Sequence, residues 1–298
     1  MSLVSYVKVQ EKSVDSLSQN ILESLNLINY SFKKDIKDIA IKPNMCYYWD
    51  YTTGQTTDPK LVAALIEVIR NQISPDVNIS IVEADASAMR CKYAFKILGY
   101  EKIANEYNVR LVNLAEDKCE DVDVTVDGKN LQFKLPHTIR DADLRINVPK
   151  IKYMSLTKVS GALKNIFGCN PIVSKYKFHS RLDETIVALN KIMKIDLSIL
   201  DGMIVSGRKP AKLDLLLASQ DIVALDAAAA KLTGVNPKSV NHIMLANEEG
   251  LGDVSFTARG ENPEVFAKQF PRRKLKDKIL TSGYKFAVRT GLLKTELL

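Results

Sequence analysis

The residues best suited to chemistry in this sequence are a lysine and a histidine fifteen positions apart, Lys164 and His179. Lys164 lies in the segment SGALKN, where Gly161 lets a ligand approach the backbone and the lysine projects from the first turns of a predicted helix. The segment resembles half of a phosphate-binding loop but lacks the full G-x-x-x-x-G-K-[ST] pattern. His179 suits proton transfer or metal ligation, and the alternative is a structural histidine. We expect an anionic substrate here, with Lys164 as an electrophilic or covalent group.

A second polar group lies between a predicted strand at residues 36–42 and a predicted helix that Pro59 opens. Its members are Lys42, Asn44, Thr57 and Asp58. A lysine and hydroxyl groups near a helix N-terminus are typical of anion binding. An ordinary helix cap with a surface lysine fits the same residues. We expect Lys42 and Asn165 to orient the ligand.

Two carboxylates, Glu83 and Asp85, follow the predicted strand at residues 78–82. Together with His179, such carboxylates can bind a divalent metal or transfer protons. The alternative is that they cap the next helix. Asp201 is a further candidate for ligand binding, because Asp201-Gly202 reads as a turn at the end of a strand.

A glycine with adjacent cations, Gly207-Arg208-Lys209, follows shortly after that turn. Such a segment can hold an anionic group, and the alternative is a solvent-exposed basic turn.

The elements that must position these residues have an α/β pattern, in which short β-branched strands alternate with helices of 3.6-residue period. The pattern predicts mostly parallel sheets flanked by helices, with ligands beyond the carboxyl ends of the strands. Asp127-Gly128 predicts a β-hairpin insertion. We expect a body over residues 1–260, with lobes at about 1–140 and 141–260 separated by a cleft, and an extension over 261–298.

Composition narrows the class of protein. An apolar fraction of 46% and a charged fraction of 26% are globular values, which excludes wholesale disorder. No run of about 20 apolar residues suggests a membrane span, and no signal peptide is evident at the start. The four cysteines form no C-x-x-C pair, so we expect neither a disulfide framework nor an iron–sulfur cluster. A reducing cytoplasm is the expected compartment.

The net charge of +7 belongs to the C-terminal extension. Residues 265–298 contain nine basic and two acidic side chains, while the other 264 residues carry 33 of each sign. Apolar residues alternate with these cations, as in a helix that docks on a nucleic acid, an acidic protein or a membrane surface. The favoured alternative is a helix packed on the body with a solvated basic face. The oligomeric state is left open.

Several segments together resemble the family catalogued as domain of unknown function 362. They are IKPNM, TTDPKLVAALIE, AFKILGY, INVPKIK, VSGALKNIFG, the later His179, LDGM and LASQDIVALDAAAAKLTG, over about residues 38 to 252. The resemblance adds Lys152 and Asp226, which lie within these segments, to the expected ligand-binding residues. Members are often fused to ferredoxin-like modules and labelled iron–sulfur proteins, but this chain lacks the ferredoxin cysteine run.

A more distant resemblance is to the lactate racemase family. There a lysine tethers a nickel-pincer cofactor and a later histidine ligates the metal, and Lys164 and His179 match these two places in order and approximate spacing. The earlier family histidine falls at Met154, which cannot take a proton. The resemblance therefore implies a ligand or metal pocket and does not imply lactate racemisation.

Two classes of function remain. The first is a protein that binds a small anionic molecule or a metal cofactor, acting as an enzyme in a cleft around Lys164 and His179. The second is a non-catalytic accessory protein of an electron-transfer or cofactor-assembly pathway, which partners an iron–sulfur protein without holding a cluster itself. Family fusions alone motivate the second class.

Overall fold

Strands and helices alternate along most of the chain, as the sequence pattern predicts. The computed structural model describes residues 1–154, 156–207 and 209–272. The strands are β1 Ser2–Lys8, β2 Asp38–Pro43, β3 Asn78–Glu83, β4 Arg110–Asn113, β5 Cys119–Val126, β6 Lys129–Pro136, β7 Leu144–Val148, β8 Lys150–Met154, β9 Lys158–Ser160, β10 Leu197–Ser206, β11 Pro210–Ser219 and β12 Phe256–Gly260.

The α-helices are α1 Val14–Leu27, α2 Pro59–Gln72, α3 Cys91–Ile97, α4 Tyr100–Glu106, α5 His137–Arg140, α6 Ala162–Ile166, α7 Leu182–Met193, α8 Ile222–Thr233, α9 Asn241–Glu248 and α10 Pro263–Gln269. Short 3₁₀ helices occupy Tyr51–Thr53, Phe167–Cys169, Lys175–Arg181 and Pro237–Ser239.

One large sheet has the strand order β12-β1-β11-β10-β7-β2-β3-β4, with β8 and β9 attached beside β10. Pairing is parallel from β10 through β7, β2 and β3 to β4, and antiparallel where β11 joins β1 and β10. This confirms the predicted α/β class with a mostly parallel sheet. Strands from residues 1–140 and 141–260 interleave, so a single sheet runs through both of the predicted lobes.

Helices cover both faces of the sheet and divide the core in two. On one face α1 to α4 pack against side chains such as Ile39 and Ile41. On the other face α6 to α9 and the β5–β6 hairpin pack against side chains such as Ala40 and Leu217. Successive residues of a strand point to opposite faces, and because both faces are covered, every residue of β2 and β3 after the first is buried. Truncating one fully buried leucine of α2, such as Leu65, would cost about 2–5 kcal/mol.

Local sequence signals set several element boundaries as predicted. Asp58 caps α2 by accepting a hydrogen bond from the Lys60 N–H, and Pro59 is the first helical residue. The β5–β6 hairpin turns at Asp127 and Gly128, both with positive φ, as a two-residue hairpin loop requires.

The predicted turn at Asp201-Gly202 is wrong, because β10 continues through it to Ser206. Gly202 faces the neighbouring strand so closely that a Cβ there would lie 2.8 Å from the Leu215 carbonyl oxygen. The glycine therefore permits a close strand approach with an irregular register, and not a turn.

The described start of the C-terminal extension lies against the body. Phe266 and Phe270 are buried, and α10 contacts α8 and β11. The basic residues from Arg273 onward, and with them the docking prediction for the tail, lie outside the described residues. None of the helices in the described ranges combines the length and hydropathy that a membrane crossing requires.

Candidate ligand site at the carboxyl edge of the sheet

The parallel strands bring the predicted polar residues to one edge of the sheet. Lys42 is the next-to-last residue of β2 and Glu83 the last of β3, and the two strands are neighbours. β7 lies on the other side of β2, and the register between β8 and β10 places Lys150 opposite Asp201. Carboxyl ends of neighbouring parallel strands share an edge, so residues far apart in sequence meet there.

Three asparagines form the frame of the site. The Asn165 side chain donates to the Asn147 Oδ1 atom at 2.8 Å and to the Lys42 carbonyl at 3.2 Å. Asn44 donates through Nδ2 to the Asn165 Oδ1 atom at 3.0 Å. Thr57 completes the frame, since its hydroxyl donates to the Val148 carbonyl and accepts from the Asn44 N–H. The chain of hydrogen bonds fixes β2, β7 and α6 relative to one another.

Two fully enclosed ion pairs lie behind this frame. Lys42 Nζ is 2.7 Å from Glu83 Oε2, and both side chains are almost completely buried. Lys150 Nζ is 2.8 Å from Asp201 Oδ2, although it is not aligned to donate a hydrogen bond there. Breaking either pair would leave a buried charge without compensation.

Asp58 belongs to the second ion pair through its backbone. The Asp58 N–H donates to the Asp201 Oδ2 atom at 2.9 Å, and the Asp58 side chain caps α2. Burial, and then the Asp201 charge, raise the pKa of Asp58 above its usual value. Asp58 and Asp201 therefore anchor the start of α2 to β10.

Lys152 and Lys164 have no carboxylate partner among the described residues of this edge, and neither has Lys175, which donates to the Ala84 and Gly168 carbonyls instead. Lys152 Nζ donates to the Asn44 Oδ1 atom at 2.9 Å and to the Gln55 carbonyl at 2.8 Å. Burial, with the Lys164 and Lys150 charges, lowers its pKa to about 8, and the neighbouring Cys46 thiol opposes the change. Burial likewise lowers the pKa of Lys164, again opposed by Cys46.

Cys46 lies close enough to both lysines to oppose the lowering of each pKa. Cys46 and Lys164 are half-buried, whereas Lys152 is buried. Solvent consequently reaches the lysines from the side of Cys46 and Lys164.

Asp226 holds the start of the short helix that carries Lys164. Its two carboxylate oxygens accept hydrogen bonds from the N–H groups of Ala162 and Leu163. A Cβ on Gly161 would overlap the Asp226 carboxylate, so glycine is required there. Burial raises the pKa of Asp226 to about 6. Asp226 therefore positions the backbone at the start of the helix that carries Lys164.

His179 lies on the exposed 3₁₀ helix Lys175–Arg181 at the outer side of Phe167. Its ring centroid is 6.5 Å from that of Phe167, and Lys164 Nζ is 6.0 Å from the same ring. Both residues thus border one phenyl ring, which is itself buried.

Asp85 takes part in local structure. It pairs with Arg90 at 3.1 Å and accepts a hydrogen bond from the Cys91 N–H at the start of α3. This is the role that the helix-capping alternative describes. With Glu83 held by Lys42, the described residues contain no group of three or more His, Cys, Asp or Glu side chains arranged for a metal ion. The structure therefore does not bring the predicted metal ligands Glu83, Asp85 and His179 together in such a group.

Three residues of the site, Asn147, Lys150 and Cys46, were not predicted from the sequence. Asn147 and Lys150 are fully buried, and the available signal was their polar type near the end of β7 and at the start of β8. Cys46 belongs to no recognisable cysteine motif, so the sequence did not mark it as a site residue. Of the predicted cationic turn, Arg208 lies outside the described residues, while Gly207 packs against Pro271.

Cavities elsewhere are distinct from this edge. One of about 290 Å³ lies at the amino ends of β2 to β4, where it is lined by Asp38, Ser80, Arg110, Asp117 and His137, among others. It shares no lining residue with the lysine cluster at the carboxyl edge, which consists of Lys42, Lys150, Lys152 and Lys164.

Comparison with known proteins shows what the chain is similar to. A curated relative, the thylakoid-associated protein sll1697 of Synechocystis sp., is 32% identical over 133 residues, which cover 40% of this chain and 41% of the relative. The lactate racemase apoprotein of Thermoanaerobacterium thermosaccharolyticum aligns with a TM-score of 0.45 and 11% identity, over 79% of this chain and 58% of that chain. That likeness supports no conclusion about function. Residues 39–231 match the family described as Domain of unknown function (DUF362). The chain therefore belongs to the domain of unknown function 362 family, as the sequence motifs predicted.

Proposed function

We propose that the protein binds a small anionic molecule, carrying a carboxylate or a phosphate, against Lys152 and Lys164. The observation that carries this proposal is the pair of lysines without a carboxylate partner, held together at the carboxyl edge of the sheet. Their neighbours Lys42 and Lys150 are already paired with Glu83 and Asp201, so they add no uncompensated positive charge.

Electrostatics favours an anion in this place. Lys152 and Lys164 repel each other, and burial removes the water that would screen them. A bound anion would supply the missing opposite charge and raise both pKa values toward normal. Asn44 is fixed beside Lys152 with one of its two amide N–H groups bonded to Asn165, so its other N–H can orient the bound molecule.

Lys164 is the group we expect to act on the ligand. Once the anion restores its charge, the Lys164 ammonium group can polarise an oxygen of the ligand, which is the electrophilic role that the sequence predicts. His179 borders the same phenyl ring from the exposed side, where a proton donor or acceptor would be accessible to the ligand.

Calorimetric titration with inorganic phosphate and with acetate tests the proposal. We expect one of the two anions to bind, and Lys152→Met and Lys164→Met each to weaken binding at least about tenfold. Lys177→Met is the matched control, because Lys177 is exposed on the 3₁₀ helix that carries His179. Absence of binding, or equal losses in the control, would refute the site.

An enzyme and a non-catalytic accessory protein both predict an occupied site, so turnover must separate them. Native mass spectrometry of the purified protein identifies a co-purified anion. An enzyme changes the mass of that molecule on incubation, and His179→Ala slows the change. An accessory protein releases the molecule unchanged.

A further inference from the structure

Two aromatic side chains on the loop next to the lysine cluster are exposed to solvent. Tyr47 is 46% exposed and Trp49 is 49% exposed, and their ring centroids are 5.4 Å apart at an angle of 52°. The rings contact each other and are not part of either buried core. Aromatic surface exposed next to polar groups is typical of a binding surface.

The loop that carries these rings is closed at its base by the site itself. Residues 44–57 leave and re-enter the fold at one point, where the Thr57 N–H donates to the Asn44 carbonyl at 2.9 Å. Within the loop the Gln55 carbonyl accepts from Lys152, and the Gln55 side chain donates to Ser206 at 2.6 Å. The loop is thus fastened to the same groups that hold Lys152.

A tight turn connects the rings to the lysines. The Trp49 N–H donates to the Cys46 carbonyl at 3.3 Å, and this β-turn brings the two Cα atoms within about 7 Å. Asn44, two residues before Cys46, accepts a hydrogen bond from Lys152 Nζ at 2.9 Å. The loop that carries both rings therefore begins at a residue that holds an ammonium group of the site.

The backbone of this turn is strained at Tyr47. Tyr47 has φ of 55°, in the left-handed region that bulky side chains rarely adopt. Such a conformation costs about 1–3 kcal/mol and persists where the surroundings impose it, most often at binding sites. Here it places a tyrosine, and not a glycine, at the exposed position of the turn.

We propose that Tyr47 and Trp49 form a stacking subsite, so that the ligand is an anion attached to a planar unsaturated ring, such as an aryl or heteroaryl phosphate or carboxylate. This inference rests on the proposed function, since the lysines hold the anionic group. The two half-exposed rings lie on the loop that Lys152 contacts through Asn44 and Gln55, and they supply the second contact.

Matched ligand pairs test the ring separately from the anion. Phenyl phosphate is compared with methyl phosphate, and benzoate with acetate, by calorimetry. Trp49 is the single tryptophan of the chain, so its fluorescence reports directly on this subsite. We expect the ring-bearing member to bind about tenfold more tightly and to change Trp49 emission, while the ring-free member leaves the emission unchanged.

Variants of the rings separate the two proposals. Tyr47→Ala and Trp49→Ala should each reduce the preference for the ring toward unity without weakening the ring-free anion, and Trp49→Phe should retain it. Both residues are exposed, and unchanged thermal midpoints verify folding. Equal affinity of the paired ligands would overturn the stacking subsite and leave the anion site standing. If no anion of either pair binds, both proposals fail.

Discussion

Replacement of Lys152 by methionine should remove a pH-dependent component of stability. Burial and neighbouring lysines lower the pKa of Lys152 from its usual 10.5 to about 8. A difference of this size corresponds to about 3 kcal/mol by which the folded state disfavours the charged amine. The side chain is 4% exposed, so solvent screening leaves most of this energy in place.

The sign of the effect follows from proton binding. Between about pH 8 and pH 10 the unfolded chain holds the Lys152 proton and the folded protein has released it, so the folded state gains stability as pH rises. Below pH 8 the penalty is fully present. Lys152→Met removes this charge penalty. The variant also loses two hydrogen bonds, to Asn44 and Gln55, each worth about 1 kcal/mol.

The assay is urea unfolding of wild type and Lys152→Met at about pH 7 and about pH 10. Between the lower and the higher pH, the free energy of unfolding of wild type should increase by about 3 kcal/mol relative to that of Lys152→Met. Lys164 and Lys175, whose pKa values are also lowered, are present in both proteins and cancel to first order. A difference that does not depend on pH would refute the assignment of Lys152 as a buried, unpaired charge.

Three further variants test the positioning groups by urea unfolding. Burial raises the pKa of Asp226 to about 6, so wild type should lose up to about 3 kcal/mol of stability as pH rises from 4 to 6; Asp226→Asn should remove that slope, and an unchanged slope would contradict the burial. Lys42→Met should cost about 3–5 kcal/mol because it strands Glu83, and adding Glu83→Leu should recover part of the loss; a purely additive double variant would argue against the pair. Gly161→Ala should cost about 1–3 kcal/mol because its Cβ overlaps Asp226, and an unaffected unfolding midpoint would contradict this steric account.

Local signals in the sequence predicted the elements well. The Asp58-Pro59 helix start, the Asp127-Gly128 hairpin and the β-branched strands depend on residues close in the chain, and each is found. Gly202 misled the prediction because its close neighbour, Leu215, lies on another strand. A glycine that permits strand contact has the same local signature as a glycine in a turn.

The site depended on strand order, which the sequence does not encode locally. Lys42 pairs with Glu83 because β2 and β3 are neighbours, and Lys150 with Asp201 because β8 lies beside β10. Which lysines remain without an acid follows only after these pairs are known. Cys46 was overlooked for the same reason, since its lysine neighbours are more than one hundred residues away in sequence.

Proton uptake on anion binding is the most direct test of the central claim that an anion binds against Lys152. Inorganic phosphate is titrated by calorimetry at about pH 9 in two buffers of different ionisation enthalpy, with wild type and Lys152→Met. The free Lys152 amine is mostly neutral at this pH, and an adjacent anion restores its proton. We predict uptake approaching one proton per bound phosphate in wild type and much weaker binding in the variant. Equal affinity and equal proton uptake in the two proteins would contradict the account.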